Sequence, residues 1–232
     1  MAGFARALDK AVHLVAEGRV TELRQSLQSR LKTPFREQTV AYGLRRDLAV
    51  PLEAPKAKIP IEVRPVRDSD LPVLFPADQS HLPAEERQEL AWRRAHMQAD
   101  VPTCYVAIDG RNGTPCYFQW LMGPEQNGFI GSLGRFPALK PGEALLENAY
   151  TPVSYRGYGI MAAAMALIAE RAAALDARYV YTFVGLDNVA SLKGCARAGF
   201  SPALLRRCTS WGFGLVDTVR FDPVAEGQQA GI

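Results

Sequence analysis

Histidine is scarce in these 232 residues: only His13, His81 and His96 occur, each far from the others. The four cysteines, Cys104, Cys116, Cys195 and Cys208, contain no Cys-x-x-Cys pair. The spacing that gathers zinc ligands is missing, and no metal site is expected. Free thiols suit a reducing compartment, so the chain is read as cytoplasmic. No apolar run approaches the roughly 18 residues that a bilayer span needs. The first residues lack a short hydrophobic stretch ending in small residues, so no secretion leader is expected. There are no internal repeats and no low-complexity tract.

What is present reads as an ordinary globular chain, 48% hydrophobic and 22% charged. The length suits one domain with an appendage. Net charge is +3, and it is unevenly spread. Residues 1–58 carry 11 Lys/Arg against 6 Asp/Glu, leaving 16 against 18 for the remainder. Phe4, Leu8, Val12, Val15, Leu23, Leu27 and Leu31 recur at helical spacing, with Gly18 as a weak joint and Pro34 as a stop. Pro51, Pro55 and Pro60 then mark an extended connector. A boundary near residue 58 follows, giving a helical and extended arm (1–58), a main domain (59–222) and a loose tail (223–232). The acids Glu17, Glu22 and Glu37 break up the arm's basic charge, so it reads as a solvated face and no nucleic-acid partner is assigned. Within the arm, "QTVAYGLRRDLAV" has strand character and could pair with a second copy to make a homodimer.

The main domain begins with the strand "IEVRPV", followed by a short helix with Asp68 or Ser69 at its cap and a helix over 84–98. "TCYVAID" and "PCYFQWLMG" are strands joined by the turn "GRNGT", an antiparallel pair. A Gly/Pro-rich loop (123–142) leads to the strand "EALLENAYTPV". After it come a glycine turn with a long alanine-rich helix, the strand "RYVYTFVG", the helix "NVASLKGCARAG" and two strands near 200–211 and 215–221. The two strands flanking the alanine-rich helix form a parallel βαβ crossover. The fold class is therefore α/β (α+β): a mixed, mostly antiparallel sheet with one parallel pair and flanking helices.

The stretch "SYRGYGIM" raises a question, because Gly157 and Gly159 directly precede a strong helix. A strand, an Arg-x-x-Gly turn and a helix N-terminus make an anion site: free N–H groups and the helix dipole favour negative charge, and glycine lets it approach. Arg156 would add charge-assisted hydrogen bonds. A plain structural turn would look the same. The stretch "TPVSYRGYGIM" resembles the acetyl-CoA-binding segment of the GCN5-related N-acetyltransferase (GNAT) superfamily, whose signature is Arg/Gln-x-x-Gly-x-Gly/Ala. Arg156 and Gly159 match, while Met161 departs from it. "DNVASLKGCARAGF" resembles the second signature through Asn188, Ser191, Gly199 and Phe200. Nothing in residues 1–58 carries the resemblance.

The resemblance implies an acetyl-CoA-dependent acyltransferase that N-acetylates a small-molecule amine acceptor by direct transfer in a ternary complex. It implies two central strands that splay to admit the pantetheine arm, with backbone contacts at Ala149, Tyr150, Thr151 and Val153. The diphosphate is then expected on Arg156, Gly157, Tyr158, Gly159, Ile160 and Met161, with Asn188, Ser191 and Lys193 as further cofactor contacts. The general base in such proteins is often a glutamate on the splayed strand; Glu147 is the first candidate and Glu143, on the same face, the second, with Asn148 pointing the other way. The position of the family's usual acidic tyrosine holds Cys195, a thiol that could protonate the leaving group or simply pack. Tyr150, Tyr155 and Tyr158 are substitutes that nothing in the spacing ranks. Trp92, Trp120 and Trp211 could line an acceptor pocket. The alternative is a non-catalytic acyl-CoA-binding module that docks a partner through the basic arm.

Overall fold

The computed structural model describes residues 35–98, 103–212 and 216–224. The helices expected between Phe4 and Leu31 lie outside the described residues. Eight strands form one sheet: β1 (Arg36–Asp47), β2 (Ile61–Pro65), β3 (Cys104–Asp109), β4 (Pro115–Met122), β5 (Glu143–Tyr150), β6 (Tyr179–Gly185), β7 (Ser201–Trp211) and β8 (Val216–Pro223). The helices are α1 (Leu71–Leu74), α2 (Ala84–Gln98), α3 (Asn127–Leu133), α4 (Ile160–Glu170) and α5 (Val189–Arg197). The strand order is β2-β3-β4-β5-β6-β1-β7-β8, antiparallel everywhere except between β5 and β6. Among the described residues, no helix is long and apolar enough to cross a membrane.

Burial explains why these segments are strands. Every residue of β4 is buried, as suits a central strand covered on both faces, and β6 alternates with Val180, Thr182 and Val184 inward. On one face of the sheet Tyr117, Leu121, Leu146, Val180 and Val184 pack with α4 and α5. On the other, Phe118, Trp120, Met122 and Leu145 pack with Leu90 of α2 and Ile130 of α3. The alanines of α4 (Ala162, Ala163, Ala164, Ala166, Ala169) are all buried, letting the helix lie close on the sheet. Helix α3 falls in the stretch expected to be a loop; Gly128 and Gly131 hide it from propensity, and burial of Ile130 holds it in place.

Part of the expected arm is in the sheet. β1 pairs with β6 over Ala41–Asp47 and with β7 over Arg36–Arg45. Its central residues thus use both edges within this chain, which corrects the expectation that this strand would pair with a second copy. Close packing fixes it there: a Cβ on Gly43 would sit 2.8 Å from the Phe183 ring and 2.9 Å from Leu204 Cβ. Arg46, buried, donates to the Ala166 carbonyl (2.9 Å) and to Glu170 (3.2 Å), anchoring β1 to the C-terminal half of α4. The connector after β1 has no regular structure, as its prolines imply; it packs against Gly199 through Leu52 and lies beside Ala163 and Leu167 of α4, and the backbone N–H of Lys58 meets the Tyr158 carbonyl at 2.8 Å.

Two features open the sheet at one place. The parallel pairing of β5 with β6 covers only Glu143–Leu145 opposite Tyr179–Tyr181, so the strands part beyond it. Opposite β4, the register shifts between Phe118 and Trp120, where Asn148 takes a left-handed conformation (φ 62°). That is a bulge, and it bends β5 away from its neighbour.

Candidate active site

The glycine turn links β5 to α4. Gly157 (φ 83°) and Gly159 (φ 74°) are both left-handed, which glycine alone adopts without strain. A Cβ on Gly157 would meet nothing within 4 Å, and one on Gly159 nothing closer than the Lys56 carbonyl at 3.8 Å. The turn therefore requires glycine for its backbone, and the space above it is open. Gly159 caps α4 without any side-chain bond, and the helix ladder starts with Ala163 N–H to Gly159 O at 3.3 Å. The N–H groups of residues 160–162 precede that first bond, in the position where a helix binds anions. The two explanations of the glycines are thus compatible.

A cleft of about 770 Å³ lies over this turn. Of the cofactor contacts expected from the sequence, Ala149, Tyr150, Thr151, Arg156, Gly157, Tyr158, Gly159, Ile160, Met161, Asn188 and Ser191 line it, while Val153 and Lys193 do not. Asn188 caps α5, accepting from the Ser191 N–H at 3.1 Å. Lys56, Lys58 and Arg197 also line the cleft and were missed. The two lysines sit in the proline-rich connector, where the only signal was a pair of cations next to a strand.

Arg156 does not stand free over the turn. Its Nη2 donates to both Glu86 oxygens (2.7 and 3.0 Å) and its Nε to the Thr151 carbonyl (3.1 Å). Tyr150 donates its hydroxyl to the same Glu86 at 2.6 Å. Burial pushes the Glu86 carboxyl up, but the bonds from Tyr150 and Arg156 outweigh it and hold the group below the usual glutamate range. Tyr150 is correspondingly harder to ionise, through burial and its bond to Glu86. Helix α2 is thereby pinned across the mouth of the cleft. Arg93 of α2 adds a bond to the Ala149 carbonyl (3.0 Å), and its guanidinium lies 4.9 Å from the Tyr150 ring.

A smaller cavity of about 170 Å³ continues from the cleft between the parted strands. It shares Arg93, Ala149, Met161, Asn188 and Ser191 with the cleft. Glu147 and Asn148 line it together with Gln119, Thr182 and Trp92. Burial raises the Glu147 carboxyl to about 7, against the opposing pull of Arg206, the Asn148 backbone and Arg93. A carboxyl at that value exchanges protons near neutrality. Glu143 lies elsewhere: it accepts from the Lys140 N–H at 2.9 Å at the start of β5 and lines neither space. Cys195 is fully buried in the core of the α4–α5 face, lines neither space, and burial pushes its thiol up to about 12. Tyr155 and Tyr158 line the cleft. Trp92 reaches the cavity, whereas Trp120 is buried in the core and Trp211 lies at the end of β7 under Arg36.

One parallel pair parting over a glycine turn, in an otherwise antiparallel sheet flanked by helices, is the frame on which the cleft and the cavity are built. The chain belongs to the GNAT acetyltransferases: residues 61–201 match the acetyltransferase (GNAT) domain. Among solved structures it is similar to a GNAT-family acetyltransferase from Colwellia psychrerythraea (16% identity, TM-score 0.50, 83% of this chain and 58% of that one). It is also similar to a GCN5-related N-acetyltransferase from Sphaerobacter thermophilus (15% identity, TM-score 0.46, 81% and 56%). The chain thus spans less than three fifths of the length of these structures. No curated protein matches it.

Proposed function

We propose that the protein transfers an acetyl group from acetyl-CoA to a primary amine of a small metabolite, directly and within a ternary complex. The observation that carries this reading is the cleft over the glycine turn, continued by a cavity between the parted strands whose wall carries the Glu147 carboxyl. The residues present suit acetyl-CoA: free helix N–H groups, two bare glycines and Lys56 and Lys58 for the phosphates, and a narrow apolar and amide-lined inner end for the acyl group. The thioester supplies the activated acyl carbon.

Glu147 accepts one proton from the acceptor's ammonium. The nitrogen lone pair then forms the N–C bond at the thioester carbonyl, and the C–S bond breaks with its electron pair on sulfur. The second proton released by nitrogen goes to the departing thiolate, so no enzymatic acid is required. Arg93, by bonding the Ala149 carbonyl, holds the backbone of β5 in place beside the reacting atoms. The alternative, a non-catalytic CoA-binding module, predicts CoA binding without turnover of any amine. We place the reaction in the cytoplasm, a reading supported by four thiols without a disulfide.

Calorimetry with acetyl-CoA and CoA tests the reading, on the native chain and on Gly159→Trp, which fills the turn. Micromolar binding lost in the variant is expected. An absence of binding to the native chain would overturn the assignment, and the glycines would be a turn only.

A further inference from the structure

The cavity between the parted strands has a polar floor that acetyl transfer does not use. Asn148 is 5% exposed and Gln119 fully buried. Both line the cavity, yet neither the Asn148 Oδ1 and Nδ2 nor the Gln119 Nε2 has a hydrogen-bond partner in the protein. The Gln119 Oε1 is taken, accepting from the Tyr117 hydroxyl at 2.7 Å. Buried amide atoms left without partners are costly, so a site that keeps three of them is built to hold something polar.

Their side of the sheet identifies the occupant. Alternation along β4 puts Gln119 with Tyr117 and Leu121, on the face packed by α4; the bulge in β5 leaves Asn148 and Ala149 together opposite Gln119, and Ala149 packs on that same face. Thr182 joins them from β6, between Val180 and Val184. Met161 and Met165 of α4 complete this side of the cavity. Glu147, with Leu145, belongs to the opposite face, where Trp92 and Phe183 are found. The amine therefore meets its base on the α2 side, and the amides lie on the side of the CoA cleft, ahead of the acyl group.

We propose that Asn148 and Gln119 form an acyl-group subsite that selects a donor whose acyl chain extends past the carbonyl and carries an uncharged hydrogen-bonding substituent, such as a hydroxyl. This rests on the CoA-dependent reading above and extends its donor range. A hydroxyl satisfies both kinds of amide atom. A plain hydrocarbon chain of the same length would bury them unpaired, and a carboxylate would enter the cavity that Glu147 also lines, with Arg93 engaged by Glu89 and Ala149 and Arg206 donating to the Arg135 carbonyl. The cavity, at about 170 Å³, has room for more than an acetyl methyl.

Binding measurements need no acceptor. Calorimetry of the full chain with CoA, acetyl-CoA, butyryl-CoA, 3-hydroxybutyryl-CoA and succinyl-CoA should rank 3-hydroxybutyryl-CoA about tenfold tighter than butyryl-CoA. Asn148→Gly removes the amide while keeping the left-handed backbone, because glycine adopts it freely. In that variant the tenfold preference should fall to about twofold or less, with affinity for CoA itself, whose cleft Asn148 does not line, within about twofold of native. CoA binding thereby also reports that the variant is folded. Equal affinity for the butyryl and 3-hydroxybutyryl donors, or a preference that survives Asn148→Gly, would overturn the subsite and leave the amides to water. An amide-dependent preference for hydroxylated amines in place of hydroxylated donors would overturn it too, moving the floor to the acceptor. Failure of CoA to bind at all would instead defeat the underlying CoA reading.

Discussion

Replacing Glu147 by glutamine should trade activity for stability. Burial holds this carboxyl at about 7 where 4.5 is ordinary. The folded protein therefore keeps a proton that the unfolded chain releases at lower pH. Stability from this site is intact below about 4.5, is lost as pH rises towards 7, and stays lost above it. The difference corresponds to about 3 kcal/mol, taken as an upper figure. Glu147→Gln cannot ionise, so urea unfolding should show it more stable than native by up to that amount at pH 8 and nearly equal at pH 4.5. The same substitution removes the proton acceptor, lowering kcat/KM for amine acylation by about 10²–10⁴-fold. The native pH profile should rise through about 7, and the variant should lose that limb, keeping only the acceptor's own titration. Product formation followed by mass spectrometry gives the rates. A variant within threefold of native activity, or a stability difference that is flat from pH 4.5 to 8, would refute the reasoning.

Three other substitutions probe the frame of the site. Lys56→Ala with Lys58→Ala should weaken CoA binding several-fold and flatten its salt dependence, measured by calorimetry in low and moderate salt, with unfolding unchanged, because both side chains are exposed. Gly43→Ala should cost about 1–3 kcal/mol in urea unfolding, since its methyl would press on Phe183 and on Leu204 Cβ between two paired strands. Glu86→Ala should destabilise by about 1–3 kcal/mol, leaving the buried Tyr150 hydroxyl without its acceptor and Arg156 without its carboxylate partner; thermal melting checks it.

The legible parts of the sequence were those governed by local rules. The antiparallel pair around "GRNGT", the βαβ unit and the turn with Gly157 and Gly159 follow from periodicity and backbone chemistry, and most of the expected cofactor contacts gather in one cleft. What escaped was set by distant partners. Arg156 looked like a phosphate ligand, but its commitment to Glu86, 70 residues away, is invisible locally. The placement of β1 between β6 and β7 depends on Gly43 fitting under Phe183, which no window around residue 43 contains. Asn148 was read as pointing away from Glu147; what the strand pattern did not show is its left-handed backbone, which makes a bulge, so that the cavity between the parted strands is lined by both residues.

That bulge connects the fold to its chemistry. A regular β5 would pair with β6 along its length and close the sheet over the site of transfer. The pair instead covers three residues of each strand, and the lost pairing must be offset from outside. β1 does this: it binds the other edge of β6 over seven residues, while Arg46 fastens it to α4. The free edges at the parting are then supported by neighbours and stay open for backbone contacts with an incoming ligand. The N-terminal strand is thus a structural condition of the cleft, so loosening β1 should weaken binding of CoA itself without touching a residue of the cleft; Phe183, which a methyl on Gly43 would press, lines only the adjoining cavity. Gly43→Ala supplies that comparison at temperatures where the variant remains folded: weaker CoA binding supports the coupling, and native affinity in a destabilised protein would show that the parting holds itself open.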